Sequence, residues 1–295
     1  MHNIRGIILI TLSMALFAAE DAFFKTLTQS FSIGQVLAMT GLGGAIIFAT
    51  VALGTGRSLM APLWQSPILL IRTLAESLGS VCFVSALAQV PMSTAAAVFQ
   101  ALPLAITLGA ALFLKEQIGW RRWTAILVGF AGVLMIIRPG LEGFDPASLL
   151  VLGAVAAIAT RDLISRKLPA DLSSYVVSFH GFAAATVAGV LLMLVNANAP
   201  LLPEPTQNWH VAGAVIFGVL GYYAIVIATR TGDASAITPF RYTRLIFSMI
   251  LGMMVFSERP DLMTYAGALL IIASGLYAFL RERRLARRAA PVFSS

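Results

Sequence analysis

Long apolar stretches separated by short polar connections run along the whole chain. A helix needs about 20 apolar residues to cross the hydrocarbon core of a bilayer. Helices are predicted because an open sheet in lipid could not satisfy its backbone hydrogen bonds. The pattern therefore predicts an all-α membrane protein with ten transmembrane helices. These predicted spans, one to ten, cover residues 4–26, 33–53, 67–88, 94–114, 120–137, 147–164, 174–195, 211–228, 236–256 and 263–280.

Composition agrees with lipid as the main solvent. The 295 residues are 59% hydrophobic and only 11% charged, whereas a soluble domain carries about 25% charged residues. The first apolar segment runs on into Glu20 and Asp21 without a small-residue cleavage site. We therefore expect it to be a membrane span and not a removable leader.

Basic residues in the connections predict the orientation of the chain, because cytoplasmic loops are enriched in Lys and Arg. With the N-terminus inside, three basic residues fall outside: Lys25, Arg138 and Arg259. The inside set is much larger, so both termini are predicted to face the cytoplasm from the inner membrane. It consists of Arg5, Arg57, Lys115, Arg121, Arg122, Arg166, Lys167, Arg230 and the five arginines of 281–288. That last cluster abuts an apolar helix, which favours a membrane-surface anchor over a nucleic-acid site.

The two halves of the chain repeat one another. Ser93 begins an apolar segment that ends at Glu116, and Ser235 begins one that ends at Glu258. Both pairs are separated by 142 residues, and further matches between the halves share this offset to within one residue. Each half holds five predicted spans, an odd number, so the second half enters the membrane inverted. Inverted repeats are a common plan of secondary transporters that work by alternating access.

Two segments carry a resemblance to a known family. The stretch FRYTRLIFSMILGMMVFSERPDLMTYAGALLIIASGLYAFLRERR (240–284) resembles the C-terminal end of bacterial EamA transporters of the drug/metabolite transporter superfamily. The stretch LKEQIGWRRWTAILVGFAGVLMIIRPG (114–140) is a weaker counterpart.

This resemblance implies an organisation for the whole chain. The expected units are a first repeat at 1–140, a second inverted repeat at 141–282 and a basic cytoplasmic tail at 283–295. The resemblance also implies a central cavity lined by helices one to four and six to nine. Helices five and ten would lie at the periphery, where a homodimer would form. Substrates of the riboflavin or S-adenosylmethionine type are implied, with an amino acid or metabolite exporter as the alternative.

Charged residues inside the predicted spans are candidates for the substrate site, because a charge at bilayer depth is costly without a polar cavity or a partner. Arg72 and Glu76 share a helix face at a spacing of four. This pair is either a cavity wall or an internal ion pair that allows the helix to insert. Arg241 and Arg244 also share a face, and their guanidinium groups match carboxylate or phosphate. The alternative for these two arginines is pairing with Glu76 or Asp162.

Further side chains complete the predicted site. Three tyrosines and a glutamine could contact a flat substrate, although packing is the alternative for the tyrosines: Tyr222, Tyr223, Tyr242 and Gln100. Four groups could couple transport to protons, with interfacial solvation or structural hydrogen bonding as the alternative: Glu20, Asp21, Asp162 and His180.

An integral membrane enzyme is the main competing class. The sequence contains no HExxH motif, no metal-binding aspartate pair and no Gly-x-Ser-x-Gly motif. We therefore predict a transporter without a metal or cofactor, whose partners are the bilayer and a small organic metabolite.

Overall fold

A computed structural model of the protein describes residues 2–60, 66–165, 167–168, 172–231 and 237–289. Helices account for almost all of the regular structure in these ranges, as the apolar pattern predicts. In chain order they are α1 (His2–Leu27), α2 (Ile33–Gly54), α3 (Pro67–Leu87), α4 (Met92–Phe99), α5 (Leu102–Phe113), α6 (Trp120–Ile137), α7 (Ser148–Ser165), α8 (Ser174–Val195), α9 (Pro205–Thr231), the 3₁₀ helix η1 (Thr238–Tyr242), α10 (Thr243–Phe256) and α11 (Leu262–Ala289).

Nine apolar segments of the described chain are helical and long enough to cross a membrane. They correspond to nine of the ten predicted spans, with α4 and α5 together forming one of them. The ninth predicted span, 236–256, differs because it comprises η1 followed by the 14-residue α10. Pro239 lies in the first turn of η1, where its missing N–H and fixed φ are tolerated. The described part of this span is thus a 3₁₀ helix followed by an α-helix, and not one continuous α-helix.

The fourth predicted span is also interrupted, between α4 and α5. Gln100 is the C-cap residue of α4, Ala101 precedes α5, and Pro103 lies in the first turn of α5. The interruption faces the one between η1 and α10, because the Gln100 side-chain amide donates a hydrogen bond to the Tyr242 carbonyl at 3.5 Å. Two breaks in helical structure thus meet in the middle of the molecule.

Four helix pairs provide the largest contacts, and each joins the N-terminal half to the C-terminal half: α1 with α9, α2 with α8, α3 with α7, and α6 with α11. Glycines permit the closest approaches. A Cβ on Gly132 would lie 2.7 Å from the Gly267 carbonyl, and one on Gly267 would lie 2.6 Å from the Gly132 carbonyl. Gly34 and Gly189 face each other in the same way across α2 and α8. Small residues that allow backbones to touch are typical of helix contacts in membranes.

Candidate functional site

A central cavity of about 490 Å³ lies between the two halves. Its volume is within the range of small-molecule sites, about 300–1,000 Å³. Its walls come from α1, α2, α3, α7, α8, α9, η1 and α10, together with the break between α4 and α5. Among the residues whose side chains the structure describes, α6 and α11 contribute none to the lining. This is the arrangement that the family resemblance implies for helices five and ten.

One end of the cavity holds a chain of ion pairs centred on Glu76. Arg72 Nη1 lies 2.6 Å from one carboxylate oxygen of Glu76, and Arg161 Nη1 lies 2.8 Å from the other. Arg161 also contacts Asp162 at 2.7 Å, and Arg72 Nε donates to Ser165 Oγ at 3.2 Å. The predicted pairing of Arg72 and Glu76 along α3 is present, and both residues line the cavity. The pair is therefore an internal ion pair and a cavity wall at the same time.

A second ion pair joins α1 to α10. Arg244 Nη2 lies 2.8 Å from each carboxylate oxygen of Asp21, and Asp21 is only 2% exposed. The guanidinium also lies 5.3–5.5 Å from the ring centres of Phe17, Phe83 and Phe99. A guanidinium group near the face of an aromatic ring is attracted to it by a cation–π interaction. Arg244 is thus paired with Asp21, and not with Glu76 or Asp162 as the sequence-based alternative had it.

Two charged side chains of the cavity lack such partners within the described part of the chain. Arg241 lines the cavity, is exposed, and makes no hydrogen bond or ion pair there. Glu20 also lines the cavity, and its carboxylate packs against the Cα of Gly218. Adjacent residues on a helix point about 100° apart. Asp21 can therefore bond Arg244 while Glu20 faces a different wall of the cavity.

The predicted polar and aromatic contacts fall into two groups. Gln100 and Tyr222 line the cavity. Tyr223 is 48% exposed and does not line it, because it follows Tyr222 directly on α9 and points elsewhere. Tyr242 is 8% exposed, and its hydroxyl packs against Gly275 of α11 outside the cavity lining.

His180 also lies behind the cavity wall. It is 4% exposed, its ring lies 5.2 Å from Phe179, and it is absent from the lining. Its Nε2 has no hydrogen-bond partner among the described residues. Asp162 and Asp21 line the cavity within the ion pairs above. A role of these groups in proton coupling stays a prediction. The described residues bring together no group of three metal-ligating side chains.

A separate polar cluster closes the molecule beyond the cavity, at the ends of α1, α3 and α10. The Glu258 carboxylate accepts hydrogen bonds from the backbone N–H groups of Met92 and Ser93 at 2.6 and 3.0 Å, and from Ser93 Oγ at 2.8 Å. Lys25 Nζ lies 3.4 Å from Glu258 and donates to the Val90 carbonyl at 2.6 Å. We refer to Lys25, Val90, Met92, Ser93 and Glu258 as the end cluster.

Sequence reasoning identified only parts of these arrangements. Glu258 stood out through its repeat offset from Glu116, but its contact with α4 lies 165 residues away in sequence. Lys25 counts in the sequence only as a basic residue on the outer side, and it lies in the last turn of α1. Arg161 lies inside the sixth predicted span, 147–164, but is not among the predicted site residues. Its position next to Asp162 and the cost of burying an unpaired charge were the available signals.

Comparisons with known proteins identify the family of the chain. The model of the EamA-like transporter family matches residues 4–138 and 145–280. Among curated relatives, the chain is 30% identical to an S-adenosylmethionine uptake transporter of Rickettsia bellii, over 73% of each chain. It is 30% identical to a riboflavin transporter of Vibrio cholerae, over 74% of this chain and 73% of the relative. It is 25% identical to a pseudopaline exporter of Pseudomonas aeruginosa, over 91% of this chain and 94% of the relative.

A solved structure shares the fold. A crystal structure superposes with a TM-score of 0.65 at 21% identity, over 95% of this chain and 98% of that chain. This likeness supports the helical arrangement and carries no information about the substrate.

Proposed function

Because the chain belongs to the EamA-like transporter family and is a multi-pass membrane transporter of small metabolites rather than an enzyme, we propose that it moves its substrate by alternating access through the central cavity. The observation that carries the proposal is the cavity itself. It is of metabolite size, polar in part, and built from both halves of the chain. Ion pairs inside the cavity connect helices within and between the halves. Exchange of partners among these ion pairs would allow the helices to move relative to one another.

The helix contacts support two inverted five-helix repeats with ten membrane crossings. If α1 to α3, α4–α5 and α6 form one repeat, then α7, α8, α9, η1–α10 and α11 form the other. Exchange of the repeats converts the α1–α9 contact into the α7–α3 contact, and both are present. The same exchange converts the α2–α8 and α6–α11 contacts into themselves.

The relative direction of paired helices supports the inversion as well. Gly34 of α2 lies against Gly189 of α8, and Gly41 lies against Thr186. Later positions of α2 thus meet earlier positions of α8, so the two counterpart helices run antiparallel. Gln100 also contacts Tyr242, its own counterpart at the 142-residue offset. Contact between equivalent residues is expected at a pseudo-two-fold axis.

The basic connections support an orientation in the inner membrane with both termini in the cytoplasm. In this orientation the end cluster lies on the external side. Arg72 lies six residues into α3, which begins at Pro67, and Arg241 lies in the last turn of η1, both in the halves of their predicted spans nearer the cytoplasmic side. A homodimer through α6 and α11 stays a prediction. It is compatible with the described side chains of these two helices, which lie outside the cavity lining.

The names of the relatives supply the compounds for the first transport test. Purified protein in proteoliposomes is expected to take up radiolabelled S-adenosylmethionine or riboflavin faster than protein-free liposomes do. Unlabelled compound in excess is expected to compete, because a carrier saturates. Uptake that does not saturate would favour a channel and contradict alternating access.

The similarity to a pseudopaline exporter over 91% of the chain favours export as the second candidate. Liposomes loaded with the labelled compound test it, because release stimulated by external unlabelled compound reveals exchange across the membrane. Absence of both uptake and release for every metabolite tested would contradict transport of these substrate classes.

A further inference from the structure

The charges of the cavity do not cancel locally, although they balance in number. Four acidic and four basic residues line it: Glu20, Asp21, Glu76, Asp162, Arg72, Arg161, Arg241 and Arg244. Asp21 is bonded to Arg244, whereas Arg72 and Arg161 are bonded to Glu76 and Asp162. Within the described residues this leaves one carboxylate, that of Glu20, and one guanidinium, that of Arg241.

These two residues lie in different parts of the cavity. Glu20 belongs to the last third of α1, seven residues before its end at Leu27, whereas Arg241 belongs to η1. Arg241 is in electrostatic range of Asp162, Arg161 and Arg244, and Glu20 is in range of Asp21 and Arg244. Arg244, which is bonded to Asp21, is therefore within electrostatic range of both unpartnered charges. A ligand that binds both residues must carry a positively charged group for Glu20 and a negatively charged group for Arg241.

We propose that the cavity takes a zwitterionic metabolite bearing an amino-acid group, whose ammonium binds Glu20 and whose carboxylate binds Arg241. The inference rests on the transport function proposed above and names its substrate class. A guanidinium matches a carboxylate through two parallel N–H donors, and an ammonium brings three donors to a carboxylate. The amino-acid group of the bound metabolite compensates both charges, and this group by itself adds no net charge at bilayer depth, where a net charge is costly.

The surroundings of the two charges agree with this role. Gly218 allows the Glu20 carboxylate to lie against the α9 backbone, because a Cβ at this position would overlap it. Arg241 is exposed to the cavity, although it lies in a short helix packed among larger ones. Arg244 is held within the protein, because its guanidinium contacts the rings of Phe17, Phe83 and Phe99. The guanidinium that remains available to a ligand is therefore that of Arg241.

Ligand binding to purified full-length protein tests the proposal through matched compounds. The probes are S-adenosylmethionine, its decarboxylated analogue, which lacks the carboxylate, and methylthioadenosine, which lacks the whole amino-acid group. Riboflavin serves as a probe without an amino-acid group. We expect the thermal shift and the measured affinity to be largest for S-adenosylmethionine. Loss of the carboxylate should weaken binding at least about tenfold, because a charged hydrogen bond is lost.

Variants at the two positions add a readout that a purely structural role would not give. Arg241→Gln should bind S-adenosylmethionine and its decarboxylated analogue equally, since the variant lacks the guanidinium that recognises the carboxylate. Glu20→Gln should bind S-adenosylmethionine at least about tenfold more weakly, and Gly218→Ala should do so by displacing the carboxylate. The controls are Glu142→Gln and Arg259→Gln, which change exposed charges outside the cavity.

The outcomes separate this inference from the transport function. Transport of riboflavin by wild type, with no binding of S-adenosylmethionine, overturns the zwitterion class and leaves the carrier function standing. Transport of S-adenosylmethionine that Glu20→Gln and Arg241→Gln leave unchanged also overturns it. Failure of wild type to transport any of the labelled compounds counts against the proposed function and the inference together.

Discussion

Asp21 and Arg244 form the most enclosed ion pair of the molecule among the described residues, with side-chain exposures of 3% and 17%. Removing one partner of such a pair leaves a buried charge uncompensated, which costs about 3–5 kcal/mol. We predict that Asp21→Asn and Arg244→Gln each lower the free energy of unfolding by about this amount. The double variant Asp21→Asn/Arg244→Gln should recover part of the loss, because no single charge is left behind.

Thermal or denaturant unfolding in detergent measures this double-mutant cycle. Additive effects of the two substitutions would contradict a coupled pair. Glu142→Gln, in an exposed loop, serves as the matched control for a carboxylate lost without a buried partner.

The contrast between Arg72 and Arg244 indicates how far the site could be predicted. The Arg72–Glu76 pair follows from a spacing of four on one helix, and it is present at 2.6 Å. The partner of Arg244 lies 223 positions away, and no local pattern connects them. Sequence could therefore name the charged residues of the cavity. It could not say which of them bond one another and which remain available to a ligand.

Asp261 provides a titratable group outside the membrane-spanning helices. Its hydrogen bond with Arg138, together with that from the Thr264 backbone, lowers the pKa of Asp261 from 3.8 to about 2. A lowered pKa in the folded state stabilises the protein above the unfolded value. This contribution is complete above about pH 4 and is lost as the pH falls towards about 2.

We predict that Asp261→Asn destabilises the protein by less than about 1 kcal/mol at neutral pH, because the pair is solvent-exposed. The difference between wild type and this variant should disappear as the pH approaches 2. Asp261→Ala should cost about 1 kcal/mol more, since it also removes the side-chain bond that caps the Thr264 N–H at 2.9 Å. Melting temperatures measured against pH test this; a pH-independent difference for Asp261→Asn would contradict it.

At the scale of whole helices, the close packing of α6 against α11 depends on two glycines, Gly132 and Gly267. Gly132 and Gly267 each place backbone where a Cβ would approach a carbonyl to within 2.7 Å or less. A side chain there forces the two helices apart, and overpacking of this kind costs about 1–3 kcal/mol. We predict that Gly132→Val lowers the melting temperature measurably. Gly54→Val, at a position with open space around it, is the control and should have little effect; equal effects of the two would contradict the packing explanation.

Helix positions were predictable to different degrees, for physical reasons. The apolar lengths of α2 and α8 agree with the predicted spans because lipid imposes a minimum length on a crossing helix. The last helix extends to Ala289, beyond the predicted end at residue 280, because the arginine-rich segment is compatible with helix although it is too polar for lipid. The division of the ninth span into η1 and α10 depends on Pro239 and on contacts with α4 and α1. A hydropathy pattern does not report such contacts.

The end cluster and the cavity define two parts of the whole molecule that alternating access must connect. Lys25 of α1, in the first half, bonds Glu258, which follows α10 in the second half and caps α4 of the first. The cluster therefore ties the halves together at the end of the cavity predicted to face outward. Separation of the halves on that side, to admit or release a substrate, requires these bonds to break.

We predict that a covalent bridge across the end cluster stops transport reversibly. Cysteines replace Lys25 and Glu258 in a background where Cys82, the single native cysteine, is changed to Ser. A short thiol-specific cross-linker, cleavable by reducing agent, then joins the two helices. Uptake in proteoliposomes should fall to the protein-free level after bridging and return after reduction, whereas each single-cysteine variant should keep its own rate after the same treatment. Binding of substrate should survive the bridge, because the cavity lies beyond it. Transport that continues with the bridge intact would mean that this end of the molecule does not open, and the carrier would then need another external path.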